Sequence, residues 1–74
     1  MTPKPVGYTS HARRQLKARH VTRQQVRWVL ARGVRESLGE GVYSVAGYLG
    51  KTEAKLIVRE DAQRILIITV MWVE

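Results

Sequence analysis

The sequence predicts an α+β fold in which two N-terminal helices pack on one face of a three- or four-stranded antiparallel sheet. Before Gly33, apolar residues recur at helical spacing and follow residue types that start helices. After Gly33, short runs rich in β-branched residues alternate with glycine-containing turns. A chain of 74 residues has room for one thin core, so we expect a single domain over residues 1–74.

The first helix is predicted over residues 10–20, where Thr9 or Ser10 can act as the N-cap. Ala12 and Leu16 define its buried stripe, because they lie one turn apart. Residues 1–7 hold two prolines and are expected to form a flexible arm.

The second helix is predicted over residues 23–32. Thr22 is followed three residues later by Gln25, which is the capping-box pattern. Gly33 suits the left-handed position that follows many helix ends. Trp28 lies about 150° from the apolar stripe at 3.6 residues per turn, so the core of its own helix should not bury it.

Strands are predicted at residues 42–48, 54–59 and Ile65–Val73, with a short additional strand at residues 34–38. Turns separate them at residues 39–41, 50–51 and 60–63. The last strand is apolar on both faces. We therefore expect it to be central and covered on both sides, or paired in a dimer.

Charge divides the chain into two unequal parts. The first 35 residues carry nine lysines and arginines and no acid, whereas the rest carries four bases and six acids. Such a basic segment either forms a solvated helical face or binds a polyanion, and its density favours nucleic acid. The cations predicted to contact nucleic acid are Arg13, Arg14, Lys17, Arg23, Arg27, Lys55 and Arg59.

Composition excludes several classes of protein. The absence of cysteine excludes disulfides and thiol chemistry, and two separated histidines give no metal site. No apolar stretch approaches the roughly 20 residues of a membrane span, and the N-terminus lacks a hydrophobic signal region. A soluble cytoplasmic protein without metal or cofactor is expected.

Two residues of the first helix stand apart from its basic face. His11 lies at the edge of the buried stripe and is the side chain best suited to acid–base chemistry near neutral pH, although a histidine in a first turn is usually a plain surface residue. Arg19 falls on the core-facing side, where it needs a partner. That partner is a phosphate or, in a purely structural role, a carbonyl or the carboxylate of Glu36 or Glu53.

Several short motifs together resemble one small bacterial family. They are Thr9-Ser10-His11-Ala12, Arg19 before Val21-Thr22, Val26 with Val29-Leu30, Gly33, and Ile67-Ile68-Thr69-Val70. The family is the domain of unknown function 4258, commonly placed near the RelE/ParE and BrnT toxins, and the resemblance covers residues 8–72. It implies a toxin-like fold of two helices on a twisted antiparallel sheet.

The resemblance also implies a function, a metal-independent endoribonuclease of a toxin–antitoxin pair. Its catalytic residues would be His11, Arg19 and Thr69, and its partner an acidic antitoxin protein. In such enzymes the ribose 2′-hydroxyl attacks the neighbouring phosphate. His11 would act as general acid or base, and Arg19, with Lys55 or Arg59, would stabilise the developing charge.

Two other interpretations remain open. The chain is either a non-catalytic module that binds nucleic acid or protein through its basic helices, or a dimerising domain with an incidental basic surface. Trp28 and Arg32 are predicted to contact a partner, because interfaces are enriched in tryptophan. The other fates for Trp28 are cover by the N-terminal arm, burial in a homodimer, or stacking on a base.

Overall fold

A computed structural model describes residues 4–73 of the chain. Two helices and five strands follow in the order β1 (Val6–Tyr8), α1 (Ser10–Ala18), α2 (Arg23–Arg32), β2 (Val34–Gly39), β3 (Val42–Leu49), β4 (Thr52–Glu60) and β5 (Ile65–Val73). The α+β class and the two helices are confirmed. The strands predicted after Gly33 are all present, with ends that agree to within two residues.

The sheet is five-stranded and mixed, in the order β1-β5-β4-β3-β2. Strands β2 to β5 form the predicted antiparallel meander, but β1 adds a fifth strand parallel to β5, with Val6 beside Ile65 and Tyr8 beside Ile67. The prediction of a purely antiparallel sheet of three or four strands was therefore wrong. A three-residue strand containing glycine has little local signal, and its partner lies far along the chain.

The predicted N-terminal arm enters the sheet at β1. Beside that strand, the Ile65 N–H donates to the Pro5 carbonyl at 3.0 Å. Lys4 Nζ lies 2.8 Å from Glu60 Oε2 and donates to the Asp61 carbonyl at 2.8 Å. The part of the arm from residue 4 onward is thus bonded to the β4–β5 turn, whereas residues 1–3 lie outside the described residues.

The hydrophobic core lies between the helices and one face of the sheet. Its fully buried members from the sheet are Val45, Ala54, Leu56, Val58, Ile67 and Val70, and those from the helices are Ala12, Val26 and Val29. Strand β5 lies between β1 and β4, so its central position is confirmed. Both helices pack on the same face, however, and no element of residues 4–73 covers the other, so β5 is not covered on both sides within one chain.

Helix α1 replaces β1 as the neighbour of β5 beyond Ile67. The Thr9 N–H donates to the Ile67 carbonyl at 3.0 Å, and Thr9 Oγ1 donates to the Ile68 carbonyl at 3.3 Å. Further along, the Val70 N–H donates to Gln15 Oε1 at 2.7 Å. A helix side chain thus satisfies a backbone donor that no strand reaches.

Strand β5 carries a β-bulge at this point. Ile57 pairs with Thr69 and the next residue, Val58, pairs with Ile67, which leaves Ile68 as the extra residue. The bulge bends β5 where α1 begins to contact it.

Gly33 serves a different purpose from the predicted one. Its backbone is extended, with φ −75° and ψ 166°, so the left-handed conformation expected after the helix is absent. A Cβ at this position would lie 2.6 Å from the Val29 carbonyl oxygen and 2.7 Å from that of Ala46. The position requires glycine because the α2–β2 junction packs directly on the backbone of β3.

The two helix starts are as predicted, and the first helix end is earlier. Thr9 accepts from the Ala12 N–H, and Thr22 forms the capping box with Gln25. Helix α1 ends at Ala18 instead of residue 20, because His20 adopts a positive φ of 55°.

Candidate nucleic-acid interface

The two helices present five exposed cations. We call this set, Arg13, Arg14, Lys17, Arg23 and Arg27, the helix-layer surface. Salt bridges among residues 4–73 involve only Lys4 and Arg35, both to Glu60, so the helix-layer surface has no ion-pair partner there. Its charges are therefore available to an external anion.

Lys55 and Arg59 lie on the other side of the molecule. Each is next to a core residue of β4, Leu56 and Val58 respectively, and successive strand residues point to opposite faces. Their side chains therefore project from the uncovered face of the sheet. The seven cations predicted to bind nucleic acid are split between two surfaces.

Thr69 shares the uncovered face with those two cations. It pairs with Ile57 across the β4–β5 ladder, and Ile57 lies between Lys55 and Arg59 along that face. The predicted grouping of Thr69 with these basic residues is present in the register of the strands.

His11 and Arg19 lie on α1 and do not join that group directly. His11 is exposed in the first turn, one turn before Gln15, and no hydrogen bond to its side chain occurs within residues 4–73. Arg19 is eight residues further on, about 12 Å along a helix axis. Hydrogen bonds within the described part of the chain do not link His11, Arg19 and Thr69 to one another.

Arg19 has a hydrogen-bond partner, but its backbone makes the contact and its side chain does not. It is the C-cap of α1, half-buried, and its carbonyl accepts from Trp72 Nε1 at 3.2 Å. The expected side-chain ion pair with Glu36 or Glu53 is absent from the described salt bridges. Its guanidinium is thus left without a structural partner within residues 4–73.

Tyr8 is a residue that sequence reasoning missed. Its hydroxyl is buried and has no hydrogen-bond partner among the described residues, and the Arg23 guanidinium lies 5.1 Å from the centre of its ring. Burial raises the pKa of this phenol, and the nearby positive charges of Arg23 and Arg27 lower it by a smaller amount. The sequence holds no local signal for this contact, because it depends on the unpredicted strand β1.

Two clefts open beside α2. One, of about 370 Å³, is lined by Gln24, Gln25, Trp28, Tyr48, Leu49 and Gly50. The other, of about 480 Å³, is lined by Lys4, Pro5, Val6, Arg27, Leu30, Ala31, Arg35 and Ile65. The described part of the N-terminal arm borders the second cleft, so from Lys4 onward it does not cover Trp28.

Trp28 is 50% exposed, as its position on the helix predicted. The Arg32 guanidinium carbon lies 4.2 Å from the centre of the indole ring, which is cation–π distance. The two residues predicted to contact a partner therefore form one unit on the surface.

Within residues 4–73, no cluster of three or more histidine, cysteine or acidic side chains has metal-binding geometry. Neither described helix is long and apolar enough to cross a bilayer.

Comparison with known families identifies the family of the chain. Residues 8–72 match the model of a family described as a domain of unknown function, number 4258, and the chain belongs to that family. No curated protein and no solved structure matched the chain at a significant level. The description of the family assigns no activity.

Proposed function

For a member of a family with no assigned activity, we propose a protein that binds RNA through the helix-layer surface. The observation that carries this proposal is five exposed cations on two consecutive helices, with no ion-pair partner among the described residues. The chain before Glu36 contains no acidic residue that could neutralise them.

A polyanion fits this surface for two physical reasons. Each phosphate that a cation neutralises releases condensed counterions, which favours binding at low salt. Four of the five cations are arginines, whose planar guanidinium can bind phosphate through two parallel hydrogen bonds.

The test is a salt titration of labelled RNA with matched double variants. We expect Arg13→Glu with Arg14→Glu to make the dependence of log affinity on log salt less steep. The magnitude of its negative slope should fall by roughly two, since each phosphate contact contributes about 0.7 to 0.9. Lys55→Glu with Arg59→Glu changes charge equally on the uncovered sheet face and should affect the slope much less. Salt-independent affinity, or equal loss in both variants, would contradict the assignment of the helix-layer surface.

A second candidate function is metal-independent RNA cleavage by a toxin-like protein, restrained by an acidic antitoxin. The specific observation that favours it is that Thr69 lies opposite Ile57, the residue between Lys55 and Arg59, on the uncovered face of the sheet. Two cations and a hydroxyl there can bind a phosphate. The family resemblance assigns acid–base chemistry to His11 and charge to Arg19, and both lie on α1, across the sheet from that face.

Cleavage is tested by incubating the protein with labelled RNA in chelator and mapping the products. A 2′,3′-cyclic phosphate is expected, because the 2′-hydroxyl is the nucleophile. His11→Ala should reduce the rate by about 10²- to 10⁴-fold if its imidazole transfers a proton. Intact RNA, or cleavage that chelator abolishes, would reject this function and leave the binding proposal standing.

A further inference from the structure

The cleft of about 370 Å³ has the size and composition of a ligand site. Its walls combine aromatic rings and side-chain amides, and two of its residues are unusually exposed for their size, Trp28 at 50% and Tyr48 at 63%. Leaving a large aromatic surface in water is unfavourable for so small a protein. Burial of Trp28 therefore contributes favourably to the free energy of binding of any ligand that covers it.

The indole of Trp28 is open on the cleft side. Arg32, one turn later in α2, places its guanidinium carbon 4.2 Å from the ring centre. Gln24, one turn earlier, lines the cleft, and Arg32 does not. The cation thus contacts the ring from outside the cleft, and Trp28, 50% exposed, lines the cleft beside Gln24.

The polar groups of the cleft fit the edge of a heterocycle. Gln25 Oε1 already accepts from the Thr22 N–H at 2.9 Å, so that oxygen is committed to the helix cap. Gln24 is exposed and makes no side-chain hydrogen bond within residues 4–73. Its amide offers both a donor and an acceptor beside the ring.

We infer that this cleft binds one unpaired base of single-stranded RNA, stacked on Trp28 and hydrogen-bonded by Gln24. The inference rests on the proposed RNA-binding function and adds that the strand must be single. Bases in a duplex are stacked on their neighbours, so only an unpaired base can enter the cleft.

The positive charge beside Trp28 favours RNA over an apolar protein ligand. Arg32 contacts the Trp28 ring, and the helix that carries both residues contains no acid. A base seated on Trp28 would bring its own phosphate close to this cation. An apolar protein side chain would cover the indole equally well but would leave the Gln24 amide and Arg32 without partners.

The experiment compares a labelled single-stranded RNA of about 12 nucleotides, within the known range of single-strand site sizes, with a duplex of the same sequence. Trp28→Leu keeps an apolar side chain and removes the stacking surface, whereas Trp28→Phe keeps an aromatic ring. We expect Trp28→Leu to weaken single-strand binding by about 5- to 100-fold, with Trp28→Phe recovering most of the loss. Duplex affinity should be the same in all three proteins.

Tryptophan fluorescence provides a second measurement. Trp28 is exposed, whereas Trp72 is partly buried and bonded to the Arg19 carbonyl. Quenching by single-stranded RNA should be present in the parent and lost in Trp28→Leu. Circular dichroism and thermal unfolding of the two variants establish that each is folded.

The outcomes separate this inference from the function on which it rests. Salt-dependent RNA binding that Trp28→Leu leaves unchanged would overturn the base site and retain the helix-layer surface. Loss of binding to a protein partner but not to RNA in Trp28→Leu would overturn it in favour of a protein interface. Absence of any salt-dependent RNA binding in the parent would overturn both proposals.

Discussion

Glu60 is the carboxylate on which the described salt bridges converge. Its two oxygens lie 2.8 Å from Lys4 Nζ and 2.7 Å from Arg35 Nη1, and these hydrogen bonds, that to Lys4 first, lower its pKa below the ordinary value of 4.5. A carboxylate with a depressed pKa in the folded state stabilises the fold fully above its unfolded pKa. The contribution is lost as the pH falls through the lower folded pKa.

We therefore expect Glu60→Gln to remove part of the loss of stability that the parent shows below about pH 4.5. At pH 7 the same variant should lose at most about 1 kcal/mol of stability for each of the two ion pairs, because the Glu60 side chain is partly exposed and solvent screens the charges. Urea unfolding at pH 7 and at successively lower pH measures both effects. Lys4→Met should reproduce part of the change, and identical pH profiles for parent and Glu60→Gln would show that Glu60 is not linked to folding.

Sequence reasoning identified which residues are charged and exposed but not what they contact. Arg13 and Lys17 are exposed, as their helical positions predicted. Gln15 was overlooked, although it acts as the acceptor for a backbone N–H of β5. Its role depends on where β1 stops, which is a property of the whole sheet and not of the residues around Gln15.

At the scale of an element, α1 ends in an unusual way. The Val21 N–H donates to the Leu16 carbonyl at 2.9 Å, and the His20 N–H is 3.4 Å from the Lys17 carbonyl, which together form a Schellman motif. Leu16 and Val21 are both buried and supply the hydrophobic contact that accompanies it. The left-handed position, usually glycine, is occupied by His20 with φ 55°.

His20→Gly should therefore stabilise the protein, by about 0.5 to 1 kcal/mol. An L-residue in the left-handed conformation costs roughly 1–2 kcal/mol, and the greater freedom of glycine in the unfolded chain offsets part of the gain. Chemical denaturation measures the difference. His20→Ala is the control, since alanine retains the unfavourable conformation and should not stabilise. A less stable His20→Gly protein would mean that the imidazole makes a favourable contact.

Local signals found most of the elements. Caps located α1 and α2, and apolar runs between glycine turns located β3, β4 and β5. Strand β1 could not be found in this way, because three residues have no measurable period and the strand exists only by pairing with β5. Gly33 was correctly associated with the end of α2, but the reason, a close approach to β3, is visible only in three dimensions.

At the scale of the whole molecule, the core is one-sided. Along β4, Val58 is fully buried beneath the helices, whereas the preceding residue, Ile57, is only half-buried on the uncovered face. Two adjacent β-branched side chains thus have different environments. Substituting each of them measures how much each face of the sheet contributes to the stability of the protein.

We expect Val58→Thr to destabilise the protein by about 1–3 kcal/mol, because it buries a hydroxyl in the core. Ile57→Thr should cost less than about 1 kcal/mol, since its hydroxyl remains accessible to water. Thermal and urea unfolding, with sedimentation to determine the oligomeric state, provide the measurement. Equal costs at the two positions would indicate that a second copy covers the uncovered face, as the dimer interpretation of β5 requires.

The candidate site was predictable in its chemistry but not in its geometry. The concentration of cations before Glu36 is explicit in the sequence and predicted the helix-layer surface. The separation of Lys55 and Arg59 from that surface follows from strand pairing, which the residues themselves do not specify. The sequence also showed that Trp28 lies off the apolar stripe of its helix. The cleft beside Trp28 could not be predicted, because its other wall is the end of β3.

The position of β5 between β1 and β4 sets the order in which the protein can fold as it is synthesised. A nascent chain that has reached only Arg64 can form the local β2–β3–β4 meander. In that chain β1 has no strand to pair with, and the β5 partners of Thr9 and Gln15 are missing, since Ile68 and Val70 lie more than 50 residues later. Helix α1 must therefore wait, with Ala12 and Leu16 exposed, until the last strand emerges, and during that interval the chain is most vulnerable to aggregation and proteolysis.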